Sequence, residues 1–314
     1  MTVRNTRTVI VVFGVHMVET ITQRRKIKER WGKVFILPTC IILFVFVVYP
    51  IGYTLVLSLC NYNFAFDKGL KFIGFQNFVN MFKDPKYLKA FGNSMFFTLI
   101  MFTILVVFSL ILALLLFSKK KHSWFFRTAI FMPIVVPASL ICILFSFMLA
   151  DNFGVINRFL IAIGLPSWTR NWLTEAPTAR LWVMLVSVWG KVGFCAILFL
   201  SGLQSIPNDL YEAADIDGAI GLKKLIYIIL PSLTETFVVV GIWSVLQCLK
   251  LFVTPNVLTH GGPANATKVL YQYIYETAFE NFKMGYAAAQ ALVLTLIVMF
   301  FSILNMKIGK KESE

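Results

Sequence analysis

The sequence predicts an all-α membrane protein that crosses the bilayer about six times. Three observations carry that expectation. The 314-residue chain is 58% hydrophobic and only 14% charged, whereas soluble domains carry about 25% charged residues. The apolar residues fall into six continuous runs rather than scattering. Lys and Arg gather at the ends of those runs, where they fix orientation in a membrane. So large an apolar excess cannot be hidden in one soluble core.

A helix needs about 20 apolar residues to cross the hydrocarbon layer. The six runs are approximately Val34–Leu59, Ser94–Phe117, Phe126–Ala150, Ala179–Ser201, Leu233–Val253 and Gly285–Met306. Helices are expected because backbone groups in lipid must be satisfied internally. A closed barrel would need short alternating strands, and these runs are continuous.

Orientation follows from the basic residues. Arg24, Arg25, Lys26, Lys28, Arg30 and Lys33 precede the first run. Lys119, Lys120, Lys121 and Arg127 lie between the second and third, Lys223 and Lys224 between the fourth and fifth, and Lys307, Lys310 and Lys311 after the sixth. A six-helix path puts all of these on one side, so both termini are expected in the cytoplasm. The opposite loops are poorer in basic residues for their length. The first is an exception in detail, since it carries Lys68, Lys71, Lys83, Lys86 and Lys89. Asn61–Gly92 and Asp151–Thr178 are rich in Phe, Trp, Asn, Gly and Pro and are expected to hold short interfacial helices or caps. Trp168 and Trp172 suit the membrane–water boundary.

The net charge of +14 is therefore a matter of topology, and nucleic acid is not an expected partner. The cysteines Cys40, Cys60, Cys142, Cys195 and Cys248 are far apart without a C-x-x-C pair, and His16, His122 and His260 are scattered. Neither set forms a metal or disulfide framework. Val9–Val15 is too short to span, and no small-residue cleavage site follows it. Met17, just ahead of the basic cluster, is the expected start, with residues 1–33 a cytoplasmic segment, 34–307 the membrane domain and 308–314 a cytoplasmic tail.

Chemistry-bearing motifs are sparse. No G-x-x-x-x-G-K-[ST] phosphate loop occurs, so the chain is not expected to split a nucleotide in that way. Asp and Glu are absent from mid-span positions, and no metalloprotease or nucleophile-elbow motif is present. An enzyme is not expected. One cation does lie near mid-span: Lys191, between Gly190 and Gly193. Such a residue is costly in a membrane and marks a functional candidate, the bland alternative being a Lys in a watery cavity bonded to a helix-end carbonyl. Lys250 is nearer a helix end and can snorkel.

The loop between the fourth and fifth runs, residues 202–231, is the most informative segment. Pro207 and Asp209 suit a helix start. Leu210, Ala213, Ala214 and Asp217 recur at helical spacing on a small, mostly apolar face. Gly218, or Gly221 in its place, allows the backbone to leave the helix in a left-handed conformation. A second amphipathic run, Leu222–Leu230, ends at Pro231. By physics alone such a loop either docks a partner or packs on its own bundle.

This segment resembles the signature loop of the inner-membrane permeases of binding-protein-dependent ABC importers. That pattern is E-A-A, three residues, G, nine residues, I, one residue, L-P. Glu212, Ala213, Ala214, Gly218, Ile228, Leu230 and Pro231 match it without a change in spacing. Tyr49-Pro50, Phe126-Arg127 leading to Met132-Pro133 and Pro137, Phe153-Gly154-Val155-Ile156-Asn157, and Leu258-Thr259-His260-Gly261-Gly262-Pro263-Ala264 are similar to the sugar-permease branch. The resemblance runs from about Val34 to Lys307.

The resemblance implies a type I importer-permease fold and a carbohydrate cargo. It implies a coupling helix around Pro207–Gly218 lying in a groove of a separate ATPase dimer, which holds the ATP and magnesium. Glu212 would pair with a basic residue there, Ala213 and Ala214 would permit close approach, and Gly218 would form the bend. It further implies a second permease subunit, usually a different one, and an extracellular solute-binding protein. Lys191, Trp243, Gln247 and Gln290 are the candidates along the substrate path, drawn from a polar set that includes Trp182, Trp189, Asn256 and Tyr286. Helix–helix packing is the alternative for each. Another solute, or a membrane scaffold without a pore, is the alternative for the whole.

Overall fold

The computed structural model describes Lys33 and residues 35–67, 69–117 and 123–313. Met17, His16, His122, Lys68, Lys119–Lys121 and the basic cluster from Arg24 to Arg30 lie outside the described residues. The chain divides into two compact units, residues 1–56 and 57–314.

The first unit contains most of α1, Phe35–Ser58, an apolar helix long enough to span. It carries one wide π-type turn at Phe44–Val48, just ahead of Pro50, which has no N–H to give to the helix ladder.

In the second unit a two-stranded hairpin, β1 (Cys60–Asn61) and β2 (Lys71–Phe72), pairs antiparallel with Cys60 opposite Phe72. Helix α2 (Gln76–Lys83) follows. After Asp84 the chain enters α3 (Pro85–Phe117), at 33 residues the longest span. Pro85 sits at its first position, where the missing N–H costs nothing.

The next segment corrects one expectation. Phe126–Ala150 was expected to be one span. It is instead two half-length helices, α4 (Ser123–Val135) and α5 (Ala138–Met148), bent by 101° at the break. The cause is visible in the sequence. Pro137 holds φ at −55° and ψ at 134° just before α5, and a proline disfavours the helical conformation of the residue before it. Pro133 weakens the last turn of α4 as well.

A short helix α6 (Val155–Ala162) and a turn at Pro166–Trp168 lead to α7 (Ala176–Ser205). The expected caps of the segment after the third span are therefore present. Asn157 fastens them: its side chain donates to the carbonyls of Asp151 and Arg170, and accepts from the Trp172 indole N–H at 2.8 Å.

Beyond α7 lie α8 (Asn208–Ile216) and a helical stretch of residues 222–232, α9, whose middle again opens into a π-type turn at Leu225–Ile229. The fifth span starts as α10 (Thr234–Leu249), breaks at residues 250–252, and resumes as α11 (Val253–Thr259). The uninterrupted helix expected over Leu233–Val253 is thus shorter, and Lys250 caps it in an exposed position. Residues 270–280 form α12, and α13 (Met284–Ser313) is the last span.

Helices α3 and α7 lie side by side at the centre. One apolar cluster joins Phe97, Met101 and Leu105 of α3 to Val183 and Val186 of α7 and Ile141 of α5. A second, nearer the α8 end, joins Ala113 and Leu116 to Phe199, Leu203 and Leu233. A third packs Met81 and Tyr87 with Val245, Leu249, Leu270 and Leu294. Glycine lets α4 approach α7 closely: a Cβ on Gly193 would lie 2.3 Å from the Ile130 carbonyl oxygen.

Candidate functional site

Two regions gather the residues singled out from the sequence, one at the end of the bundle that carries α8, the other near mid-bundle.

Helix α8 begins after Pro207, which stands just before the helix with ψ 139° rather than in its first turn. Asp209 occupies the first turn, where the positive end of the helix favours it. The helix ends in a Schellman closure. The Ala219 N–H donates to the Ala214 carbonyl at 2.8 Å and the Gly218 N–H to the Asp215 carbonyl at 3.3 Å. That closure needs a left-handed residue, and Gly218 supplies it at φ 72°. Gly221 is left-handed too, at φ 61°, so the turn uses both glycines.

The helix is rotated so that Tyr211 and Ala214, three residues apart, face the chain's own bundle. Tyr211 stacks on Phe117 with ring centroids 6.1 Å apart, and Ala214 is only 3% exposed. Burial pushes the Tyr211 phenol above its ordinary pKa. The uniform small face expected for Leu210, Ala213, Ala214 and Asp217 is therefore divided. Ala214 is covered within the chain, while Glu212, Ala213, Leu210 and Asp217 face outward.

Around them stand large uncovered apolar side chains: Ile216 at 86% exposure, Ile220 at 76%, Leu222 and Tyr227. Lys224 ties the two helices together, donating to Asp215 at 2.7 Å while lying 5.3 Å from the centre of the Tyr211 ring. Ile228 and Leu230 are half-buried, and Pro231 is exposed. The arrangement is a rigidly closed helical hairpin, held from beneath, that presents a carboxylate and several aliphatic side chains outward.

Near mid-bundle a cavity of about 400 Å³ is lined by Lys191, Trp243 and Gln247. These three sequence candidates therefore converge. Gln290 is not among the lining residues; it is fully buried in α13. The break between α4 and α5 forms one wall, contributing residues from Pro133 to Ala138. Non-helical backbone at membrane depth is tolerated where it lines such a cavity.

Lys191 donates a long bond of 3.5 Å to the Ser187 carbonyl one turn earlier, and no carboxylate pairs with it among the described residues. Phe194 packs against Trp243 with ring centroids 4.6 Å apart and the planes tilted by 31°. An ammonium, an amide, an indole, the Thr254 hydroxyl and aromatic faces on an otherwise apolar wall are the groups that hold a hydroxyl-rich ligand. Sequence reasoning passed over Thr254, Phe194 and the proline wall. Pro133 and Pro137 were the available signal.

Of the other polar candidates, Trp182 and Trp189 flank Phe145 at 6.5 and 5.6 Å. Asn256 accepts from the Gln272 side chain at 3.2 Å, and Tyr286 donates to Asp84.

Comparison with known proteins then bears on both regions. Residues 105–311 match the family described as binding-protein-dependent transport system inner membrane component, a stretch containing α8, α9 and the whole cavity wall. The chain is 37% identical over 282 residues to the probable ABC transporter permease protein YurN of Bacillus subtilis, covering 89% of this chain and 96% of that protein. It is 34% identical over 293 residues to the lactose transport system permease protein LacF of Rhizobium radiobacter, covering 90% and 96%. A chain of the bacterial alginate ABC transporter, crystallised with an alginate pentasaccharide-bound periplasmic protein, superposes with a TM-score of 0.81 at 22% identity, covering 91% of this chain and 96% of that one. That likeness concerns the fold.

Proposed function

This chain is an inner-membrane component of a binding-protein-dependent transport system, and from that premise we propose that it forms half of the translocation path of an ATP-driven carbohydrate importer. It is a multi-pass bacterial membrane protein and a transport subunit rather than a catalytic enzyme. The carbohydrate cargo rests on relatives such as LacF and on a cavity wall whose polar groups suit hydroxyls. Lys191 donates hydrogen bonds to the sugar, Gln247 donates and accepts them, and Trp243 offers an aromatic face. Gln290, buried in α13, packs within the bundle rather than lining this wall.

A separate ATPase dimer binds ATP and magnesium and supplies the energy. Residues 207–218, within the coupling loop 202–231, dock on it. Both termini and this loop face the cytoplasm, in keeping with the basic residues at that end. The observation that carries the docking is the uncovered surface of α8 and α9. Glu212 and Ala213 are exposed beside Ile216, Ile220 and Leu222, while Tyr211 and Ala214 are held from beneath. Large apolar side chains left open on a rigid, capped hairpin favour a protein partner.

Glu212 pairs with a cation of the ATPase, Ala213 allows close approach, and Gly218 holds the turn. Ile228, Leu230 and Pro231 seat α9 so that movement of the hairpin reaches α10. Closure of the ATPase dimer moves the hairpin with α7 and α10, which carry Lys191, Trp243 and Gln247, and exposes the cavity to the solute-binding protein. A second permease subunit completes the path, and residues 34–307 form the membrane domain.

The test is purification and reconstitution. The chain alone shows no ATPase activity, and sugar uptake in vesicles needs the copurified ATPase, a second permease and the binding protein. Hydrolysis of ATP by the isolated chain refutes the reading, as does copurification with no ATPase.

A further inference from the structure

Helix α2 and the hairpin before it have no part in the path or the coupling loop, yet they leave a large apolar surface open. Phe66 is 83% exposed, Phe72 76%, Phe75 74% and Phe82 64%. Phe75, which caps the start of α2, and Val79 and Phe82 within it are exposed and recur at intervals of four and three, which places them on one face. Asn77 and Met81 face the protein and are buried. Gln76, Asn80 and Lys83 form the third, polar edge. Around the helix the order is therefore protein, uncovered apolar, polar.

The level of α2 in the bundle follows from its own contacts and from those of the residues it binds. The Asn77 amide donates to the carbonyls of Ser58 and Cys60, both at 2.9 Å, where the first span ends. Gly285, where the last span begins, lies so close to Cys60 that a Cβ there would be 2.1 Å from its carbonyl oxygen. Asp84, directly after α2, accepts from Tyr286 in the first turn of that span at 3.0 Å. Helix α2 thus runs level with the ends of two apolar spans.

From this placement we infer that α2 and the β1–β2 hairpin form an interfacial membrane anchor. The faces of Phe66, Phe72, Phe75, Val79 and Phe82 lie in the upper acyl region of the leaflet opposite the α8 end, and Lys71 and Lys83 reach its phosphate groups. An amphipathic helix with aromatic residues on one face and basic residues at its polar edge has the composition of such an element. Continuity with the lipid-facing spans favours lipid over a protein partner, because the apolar face adjoins the buried face at the level where hydrocarbon begins. The anchor also gives Lys71 and Lys83 a role: their ammonium groups meet anionic headgroups there.

Collision measurements on spin labels test this in the assembled transporter, held in nanodiscs of phosphatidylethanolamine and phosphatidylglycerol. Cys40, the exposed cysteine among the described residues, is first replaced by Ser. Labels are then placed at Val79→Cys, Phe82→Cys and, as the polar-edge control, Asn80→Cys. All three positions are exposed, so the fold tolerates them. At 79 and 82 accessibility to oxygen, which concentrates in lipid, is expected to exceed accessibility to a water-soluble nickel chelate severalfold, with the reverse at 80. Nickel exceeding oxygen at 79 and 82 would mean that the face is hydrated and would overturn the inference. Exclusion of both reagents there would mean that another protein surface covers it, and would overturn it equally.

Discussion

The two ends of the bundle are built on opposite plans. At the α12 end, side chains from distant helices reach across to fasten the backbone of the loop at residues 260–269. Lys89 donates to the Ala264 carbonyl at 2.6 Å, Asn93 to those of Asn265 and Lys268 at 2.8 Å, and Arg180 to that of Ala266 at 2.9 Å. His260, Ala264 and Asn265 are held in left-handed conformations there, which non-glycine residues adopt only when their surroundings enforce it. At the α8 end the hairpin is closed by its own bonds, the Schellman turn and the Lys224–Asp215 pair. It rests on the bundle through Tyr211 and Ala214 and leaves aliphatic side chains uncovered. A loop pinned from many directions cannot change shape. A self-closed hairpin on an apolar seat can move as a body, and its free face can engage something else.

Substitutions can sharpen or break this contrast. The largest effect is expected at Gly218. A Cβ at Gly218 would meet nothing within 4 Å in this chain, and the positive φ of Gly218→Trp costs about 1–2 kcal/mol. Uptake should nevertheless fall by roughly 5–150-fold, the range spanned by typical coupling free energies, while the purified chain still inserts and keeps its melting transition. Normal uptake by this variant would remove the docking role from the hairpin.

At the pinned end the effect should appear in stability instead. Asn93→Ala leaves two loop carbonyls without their donor, and the cost is about 1–3 kcal/mol. It is read as a lower melting temperature in detergent with ATPase copurification unchanged. An unchanged melting temperature would mean that the loop is held without this contact.

The smallest effect belongs to Asp84. Burial raises its pKa, but hydrogen bonds from the hydroxyls of Tyr273 and Tyr286 and the N–H of Lys86 outweigh that, and the net direction is downward. A folded value below the unfolded one means that the stabilisation is complete above the ordinary carboxylate range, about pH 4, and fades as pH falls through the folded value. Because this group is partly solvated, the contribution is modest. Asp84→Asn should lower the melting temperature slightly at neutral pH and flatten the loss of stability in acid. A variant whose acid profile matches that of the unchanged protein would exclude the contribution.

Much of this plan was legible in the sequence, and the reasons for the rest are specific. The spans were legible because crossing a bilayer needs apolar length, which one run of residues displays by itself. The hairpin of α8 and α9 was legible because its parts lie within 25 residues of one another: a helix start near Pro207, a left-handed exit at Gly218, a stop near Pro231. The break at Pro137 was present in the letters, yet the apolar length of Phe126–Ala150 concealed it. The division between Ala213 and Ala214 was not legible, since only the packing of Tyr211 on Phe117, 94 positions earlier, sets the rotation of α8.

The sequence by itself determined that this chain lives in a membrane, roughly where its helices run, and which loop carries the family pattern. Each of these depends on local order: apolar length, charge at run ends, or fixed spacing. The tertiary structure decided that Lys191, Trp243 and Gln247 share one cavity while Gln290 does not line it, and that Asn93 and Arg180 clamp a loop 172 and 86 positions away. The receiving atoms of that clamp are backbone carbonyls, which every residue carries, so the partners have no signature in the sequence. Only the approach of the helices selects them.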